Sequence, residues 1–280
     1  MPRFPPELHN PFDPPRPPPA GFSSLRERAW LCSRAVAGAL VTGAARGLGL
    51  EIARVLAGRG LTVCLTDLDA AAASAAAEDV GRGAWATALD VRDAEACSAA
   101  AAAAAERSGS LDVWVNNAGV LVTGLTWEHD AETRRSVLDV NALGTFNGTV
   151  AALELMRPAG RGHVINVVSL AGLVVAPGEA LYSASKHAAI AFSIGTLSDL
   201  RRSGIRDVHV SALCPDGIWT PMIAGRLDDP DAAPSFSGHL MTAAEAASAI
   251  GPLLDGPRAV TAVPGRSCAS STSSPTSPRG

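Results

Sequence analysis

Across the middle of the chain, short continuous apolar runs alternate with longer stretches in which apolar residues recur every third or fourth position. The runs at 38–42, 62–66, 84–89, 112–115, 164–168 and 208–213, with a shorter one at 258–263, read as strands covered on both faces. Parallel sheets flanked by helices favour that pattern, because neither face of such a sheet meets water. Segments 48–57, 70–80, 94–107, 131–156, 181–202 and 243–254 read as helices. The alternation predicts an α/β fold: a single doubly wound Rossmann-type domain with a mostly or wholly parallel seven-stranded sheet. The alanine run at 99–105 follows from the strong helix propensity of alanine and carries no functional information.

The ends break the pattern. Nine prolines fall between Met1 and Ala20, and proline lacks the amide donor that helices and ladders require. Residues 1–34 are therefore expected to be a proline-rich, mostly disordered arm, whether a polyproline recognition segment or a plain extended tail. Residues 265–280 form a Ser/Thr/Pro-rich tail of the same expected character, which leaves 36–264 as the folded domain. Within it, 218–238 is irregular, with Pro221, Pro230 and Pro234 among Asp228, Asp229 and Asp231, and reads as a lid or as an inert loop. The apolar stretch 35–45 follows Arg28 and Arg34 much as a signal sequence would, but it runs into a glycine-rich turn and reads as a buried strand. No run approaches the ~18 apolar residues of a membrane span.

With 23 Lys plus Arg against 27 Asp plus Glu, the formal net charge is −4. Without a long block of either sign, this argues against nucleic acid or an anionic membrane as the main partner. The hydrophobic share of 47% argues against wholesale disorder. Five cysteines, Cys32, Cys64, Cys97, Cys214 and Cys268, include no C-x-x-C pair, and an odd set cannot close entirely on itself. A reduced, cytoplasmic setting is expected. His129, His163, His187, His209 and His239 lack zinc-ligand spacing, and His9 lies in the arm, so no metal is expected.

The first strand leads into Thr42-Gly43-Ala44-Ala45-Arg46-Gly47-Leu48-Gly49. In such a turn, missing β-carbons let backbone amides approach a diphosphate at a helix N-terminus. The G-x-x-x-G-x-G spacing differs from the G-x-G-x-x-G fingerprint, and glycine turns also serve packing alone. Asp67 follows the second strand, 18 residues after Gly49, where a carboxylate can accept from a ribose 2′-hydroxyl. Asp67 and Asp69 also precede a helix, whose N-terminus favours negative charge, so one acid can serve each purpose. Arg46 is the counter-signal, since a guanidinium there suits a 2′-phosphate. NAD is favoured over NADP. Asp90-Val91 and Asn116-Asn117-Ala118-Gly119 follow the third and fourth strands, at the sheet edge where α/β folds bind ligands. The asparagines could equally tie one loop to another.

Tyr182 and Lys186 lie four residues apart in a helical segment and so share one face. They are the only tyrosine and the only lysine in the chain, every other basic side chain among the 23 being arginine. A neighbouring ammonium favours the phenolate and is expected to bring a phenol that titrates near 10 into a useful range. Arginine, with a larger and fixed fork, is no equal substitute. Ser169 ends another strand 13 residues upstream and can donate to a substrate oxygen. Asn141 sits in mid-helix, where asparagine implies a water-binding role or a local distortion.

These motifs resemble, in order and spacing over residues 36–264, the classical short-chain dehydrogenase/reductase family. The resemblance rests on Thr42 to Gly49, Asn116 to Gly119, Asn141, Ser169 and Tyr182-Ser183-Ala184-Ser185-Lys186. It implies a dinucleotide-binding and catalytic domain in which Ser169, Tyr182 and Lys186 are catalytic and Asn141 completes a tetrad by holding a relay water. It implies further that Gly43, Arg46, Gly47, Leu48 and Gly49 line the dinucleotide and that Asp67 meets the adenosine ribose. Asp90 and Val91 would lie near adenine, and Asn117, Ala118 and Gly119 beside the cofactor with Tyr182 and Lys186. Cys214-Pro215-Asp216-Gly217-Ile218-Trp219-Thr220 resembles the segment that grips the nicotinamide, with Pro215, Ile218 and Thr220 as contacts. Asp216 departs from the family pattern, which has glycine there.

Three functions follow from the resemblance. The first is an NAD-dependent alcohol or hydroxysteroid dehydrogenase, in keeping with Asp67 and the apolar Trp219, Met222, Ile223 and Phe236. The second is an NADP-linked ketone or 3-ketoacyl reductase, supported by Arg46. The third is a nucleotide-binding regulator without turnover. The family habit also implies a homodimer or homotetramer built on the helices that carry Asn141 and Tyr182.

Overall fold

The computed structural model describes residues 37–175, 177–224 and 240–263. The predicted arm and tail, residues 225–239 with Phe236, and Cys32, Cys268, His9 and His239 lie outside the described residues.

Seven strands form one sheet: β1 (Ala37–Thr42), β2 (Leu61–Asp67), β3 (Trp85–Ala88), β4 (Val113–Asn116), β5 (Gly162–Val167), β6 (Val208–Pro215) and, after a separate two-strand pair, β9 (Val260–Val263). Their order is β3-β2-β1-β4-β5-β6-β9, with every pairing parallel. The chain winds outward from β1 in one direction and resumes at β4 in the other. The crevice between those two strands is where a doubly wound sheet presents its ligand site. Strand β4 is buried at all four positions, as expected of a central parallel strand.

Helices α1 (Gly47–Gly58), α2 (Ala70–Val80) and α3 (Ala94–Ser108) match the sequence reading within about two residues, the usual uncertainty of helix ends. The predicted helix 131–156 is continuous but not uniform. It runs as α4 (Ala131–Leu138), a π turn (Asp139–Leu143) and α5 (Gly144–Ala159), and Asn141 lies within the π turn. Asn147 donates to the carbonyls of Val91 at 3.0 Å and Arg92 at 3.2 Å. Glycines bring α5 close to its neighbours: a β-carbon on Gly148 would stand 2.1 Å from Asn116 Oδ1, and one on Gly144 would stand 2.6 Å from Val91 Cγ2.

Helix α6 (Ala180–Arg202) carries Tyr182 and Lys186 and follows a single 3-10 turn at Leu170–Gly172. The segment expected as one helix at 243–254 divides into α8 (Ala243–Ala247) and α9 (Ile250–Asp255), which follow a short α7 (Pro221–Ala224). Pro252 lies in the first turn of α9, where a missing amide is tolerated and a continuous helix would be broken. Sequence periodicity did not predict the parallel pair β7 (Ile218–Trp219) and β8 (Met241–Thr242). That pair holds both feet of the 218–238 excursion together.

The core is mostly small aliphatic residues around one large ring. Trp114 is fully buried and donates Nε1 to Asn116 Oδ1 at 2.7 Å. From there a buried polar chain crosses the sheet: Asn116 Nδ2 donates to Asn166 Oδ1 at 2.8 Å, and Asn166 Nδ2 to Ser193 Oγ at 2.8 Å. It joins β4 and β5 to α6, so the helix bearing Tyr182 is held by directional bonds as well as by packing.

His163, on β5, is fully buried with Nε2 2.8 Å from Ser211 Oγ, and its Nδ1 has no hydrogen-bond partner among the described residues. Burial, reinforced by nearby His209, pushes its imidazole down to about 3. The unfolded chain takes up this proton near pH 6.5 while the native state refuses it, so stability declines as pH falls from there toward 3. His163→Gln is expected to flatten that decline by up to about 1.4 kcal/mol per pH unit. Urea unfolding of both proteins between pH 6.5 and 4.5 is the measurement, and parallel pH slopes would refute the assignment.

Candidate active site

The carboxyl edge of the sheet opens into a cleft of about 600 Å³. Its nucleotide end begins at the turn after β1. Gly43 has φ +61° and Gly47 φ +60°, in the left-handed region that favours glycine. A β-carbon on Gly43 would lie 2.8 Å from Ala118 Cα, and one on Gly49 would lie 2.3 Å from the Gly43 carbonyl oxygen. Gly43 and Gly47 line the cleft together with Arg46 and Leu48, whereas Gly49 does not. Gly49 instead lets α1 pack onto the turn.

Helices α2, α3 and α4 are capped by aspartates, Asp69, Asp93 and Asp130 accepting from the amides of Ala72, Ala96 and Thr133. Helix α1 starts after Arg46 without any side-chain cap. A helix N-terminus left open beside a glycine cradle favours an anionic ligand. The residues present therefore fit the diphosphate of a dinucleotide.

With Asp69 engaged as a cap, Asp67 is the acid that lines the cleft, its Oδ2 accepting from Ala45 N at 3.2 Å. Asp90 also lines it and is held by Arg92 Nε at 2.9 Å and Nη2 at 2.6 Å. The Arg92 guanidinium keeps the Asp90 carboxyl below its ordinary range. Val91 completes that wall. Asn117 ties the loops together, Nδ2 donating to the carbonyls of Thr42 and Gly43, both at 2.9 Å. Thr42 Oγ1 accepts from the amides of Asn117 and Ala118, both at 3.0 Å. Asn117, Ala118 and Gly119 nonetheless line the cleft.

At the far end of the cleft Ser169 and Tyr182 line the wall together, near enough for Ser169 to influence the phenol. Ser169 follows β5 and accepts from Ala171 N at 3.1 Å. Lys186 lies one helical turn beyond Tyr182 and is buried, its Nζ 5.6 Å from the tyrosine ring centroid and 3.1 Å from the Val167 carbonyl oxygen. All three line the cleft.

Burial pushes the Tyr182 phenol up to about 12; the nearby Ser169 side chain opposes the shift and the negative charge of Glu179 adds to it. Burial pushes the Lys186 ammonium down to about 8. The expectation of a lowered phenol is thus corrected for this structure: desolvation is the largest influence on both groups, raising the phenol and lowering the ammonium.

Asn141 does not line the cleft. Its Oδ1 accepts from Val120 N at 2.8 Å, while its Nδ2 donates to the Val120 carbonyl at 2.8 Å and to Ser185 Oγ at 3.0 Å. The amide thus pins the Val120 loop to α6, and the expected local distortion is the π turn. Pro215, Ile218 and Thr220 line the opposite wall. Asp216, where glycine was expected, stands there without a positive φ. Its Oδ1 accepts from Gly217 N at 2.9 Å, and its amide donates to the Val263 carbonyl at 3.0 Å.

Sequence reasoning missed two contributors. Thr42 organises the Asn117 loop, and its position just before Gly43 was the available signal. Glu179 is buried in the cleft wall, and a single glutamate before a helix offered no signal for that.

A glycine cradle at a doubly wound crossover, continuous with a serine, tyrosine and lysine cluster, defines a dinucleotide-dependent oxidoreductase. The model of the short chain dehydrogenase family matches residues 37–231, and the chain belongs to that family. The trans-4-hydroxycyclohexanecarboxylate dehydrogenase of Sinomonas cyclohexanicum is 38% identical over 67% of this chain and 74% of its own. The 1-deoxy-11-beta-hydroxypentalenate dehydrogenase of Streptomyces exfoliatus is 40% identical over 67% and 69% respectively. Among solved structures, a short chain dehydrogenase/reductase from Burkholderia phymatum in complex with NAD superposes with TM-score 0.73 at 28% identity, covering 81% of this chain and 88% of its own. A variant actinorhodin polyketide ketoreductase with NADPH gives 0.72 at 30%, covering 82% and 94%. The protein is an NAD(P)-dependent oxidoreductase of this family. Among the described residues, no helix is long and apolar enough to cross a membrane.

Proposed function

We propose that the protein oxidises a secondary alcohol, or reduces the corresponding ketone, on an apolar substrate, with NAD as its cofactor and Tyr182 as general base or acid. The observation that carries this reading is that Ser169, at the end of β5, Tyr182 and Lys186 line one cleft, with Lys186 Nζ 5.6 Å from the tyrosine ring centroid. A bound nicotinamide dinucleotide supplies the hydride acceptor or donor.

In the oxidative direction Tyr182 Oη takes the substrate hydroxyl proton while Ser169 Oγ donates to the same oxygen and steadies the forming carbonyl. Lys186 Nζ favours the phenolate and holds the nicotinamide ribose. Asn141 completes the tetrad by holding a relay water, although its side chain is committed to Val120 and Ser185 and its carbonyl accepts from Thr145 Oγ1. Reduction runs the same roles backwards. Gly43, Arg46, Gly47 and Leu48 hold the diphosphate, with Gly49 supporting their turn from behind. Asp67 holds the ribose, Asp90 and Val91 the adenine. Asn117, Ala118, Gly119, Pro215, Ile218 and Thr220 border the nicotinamide half. Substrate contacts fall to the apolar Val168, Leu170, Val174, Met222 and Ile223 on the cleft wall, consistent with a steroid-like or other apolar body. Two relatives are named for oxidising hydroxylated carbocyclic acids, which supports a ring-borne hydroxyl.

A second reading, an NADP-dependent ketone or 3-ketoacyl reductase, is favoured by Arg46, which is exposed at the turn and in no ion pair among the described residues. Its likeness to a polyketide ketoreductase with NADPH points the same way. A non-catalytic nucleotide-binding regulator is the third, distinguished by cofactor binding without turnover. The proposed assembly is a homodimer or homotetramer in the cytoplasm, supported by exposed Leu138, Leu143, Val150 and Ile194 on the helices bearing Asn141 and Tyr182.

Tyr182→Phe is expected to bind NAD as the parent does and to lose at least about a hundredfold in turnover; unchanged turnover in nicotinamide absorbance assays would remove Tyr182 from its role. Asp67→Ala is expected to move the ratio of NAD to NADP affinity toward NADP by about tenfold or more. Tighter binding of NADP than NAD to the parent protein would reverse the cofactor assignment.

A further inference from the structure

Beyond Asp67, the nucleotide end of the cleft is lined by Leu68, Leu89, Asp90 and Val91, whereas Arg92 does not line it. A carboxylate offers about four acceptor sites. Three donors of Arg92 reach Asp90: the backbone amide meets Oδ1 at 3.0 Å, Nε lies 2.9 Å from Oδ1 and 3.0 Å from Oδ2, and Nη2 meets Oδ2 at 2.6 Å. These bonds fill Oδ1 and leave one site on Oδ2. The planar guanidinium fork fixes the direction of the carboxylate as well as its charge. The pair is partly exposed, so its contribution to stability is small. What it sets is orientation. Asn147 of α5 donates to the Val91 and Arg92 carbonyls at 3.0 Å and 3.2 Å, which bolts the backbone of the same loop to a helix.

We infer that Arg92 is a positioning residue: by holding Asp90 as an oriented acceptor, it makes the cleft select a dinucleotide whose purine carries a 6-amino group over one carrying a 6-oxo group. This rests on the proposed placement of adenine against Asp90 and Val91 and specifies what that wall reads. An ionised carboxylate can only accept, and the guanidinium holds the Asp90 carboxyl below its ordinary range. At neutral pH it therefore meets an amine with a charge-assisted hydrogen bond and a carbonyl oxygen with repulsion. Without the fork, the carboxylate is free to turn toward water and the distinction lapses.

NADH and reduced nicotinamide hypoxanthine dinucleotide differ at the purine 6-position and isolate this reading. Their binding to the full chain is measured by calorimetry at pH 7.5, so the outcome does not depend on turnover. NADH is expected to bind at least about tenfold more tightly. Arg92→Met is expected to shrink that ratio to about threefold or less while affinity for the hypoxanthine dinucleotide stays within about twofold. A merely structural loss would weaken both dinucleotides alike and leave the ratio untouched. Arg92→Lys keeps the charge without the fork and is expected to behave like Arg92→Met; the full parental ratio in that variant would show that charge alone suffices and overturn the positioning role. A parental ratio near one, or a ratio that Arg92→Met leaves unchanged, also overturns the inference. Asp90→Ala separates the two levels of the argument, being expected to abolish the preference. If it does so while Arg92→Met does not, the adenine placement stands and the role of Arg92 falls; if a strong preference survives Asp90→Ala, the placement of adenine against Asp90 falls with it.

Discussion

A half-buried phenol and a buried ammonium, one helical turn apart, stand at the edge of a parallel sheet, and the rest of the molecule is arranged around them. Burial raises the proton affinity of Tyr182 and lowers that of Lys186, moving each toward its neutral form. At neutral pH the phenol therefore keeps its proton while the ammonium still carries its charge. A positive charge brought against this wall, as an oxidised nicotinamide ring would bring it, favours the phenolate.

Holding that pair in place takes much of the fold's polar interior. The bonds from Trp114 through Asn116 and Asn166 to Ser193 fix α6 against the central strands. Asn141 fastens the same helix to the loop after β4 through Ser185 and Val120. The π turn brings Asn141 to that position, and the glycines of α5 allow the close approach beside it. Side chains locked by such partners keep a reacting group within the narrow geometry that proton transfer requires.

How much of this was legible before the structure depended on whether the signal was local. Parallel strands gave themselves away through continuous apolar runs, and the glycine turn through spacing tied to positive φ. Tyr182 and Lys186 stood out because each is unique in the chain. Asn141 signalled a helix distortion, but its partners, Val120 and Ser185, are brought together only by the tertiary fold. The division of the last predicted helix, the β7–β8 pair and the burial of Glu179 likewise depend on which segments meet in space, which periodicity does not encode. The direction of the Tyr182 shift was misjudged because sequence reveals the neighbouring charge but not the desolvation that sets the direction.

Since Tyr182 is the chain's only tyrosine, its ionisation can be followed directly as tyrosinate absorbance within milliseconds of a pH jump, before the protein unfolds. Without cofactor the midpoint is expected at about 12, and with NAD bound it is expected to fall by at least about two units as positive charge reaches the phenol. A midpoint near the ordinary value of about 10 in the cofactor-free protein, or one that NAD leaves unmoved, would contradict the account.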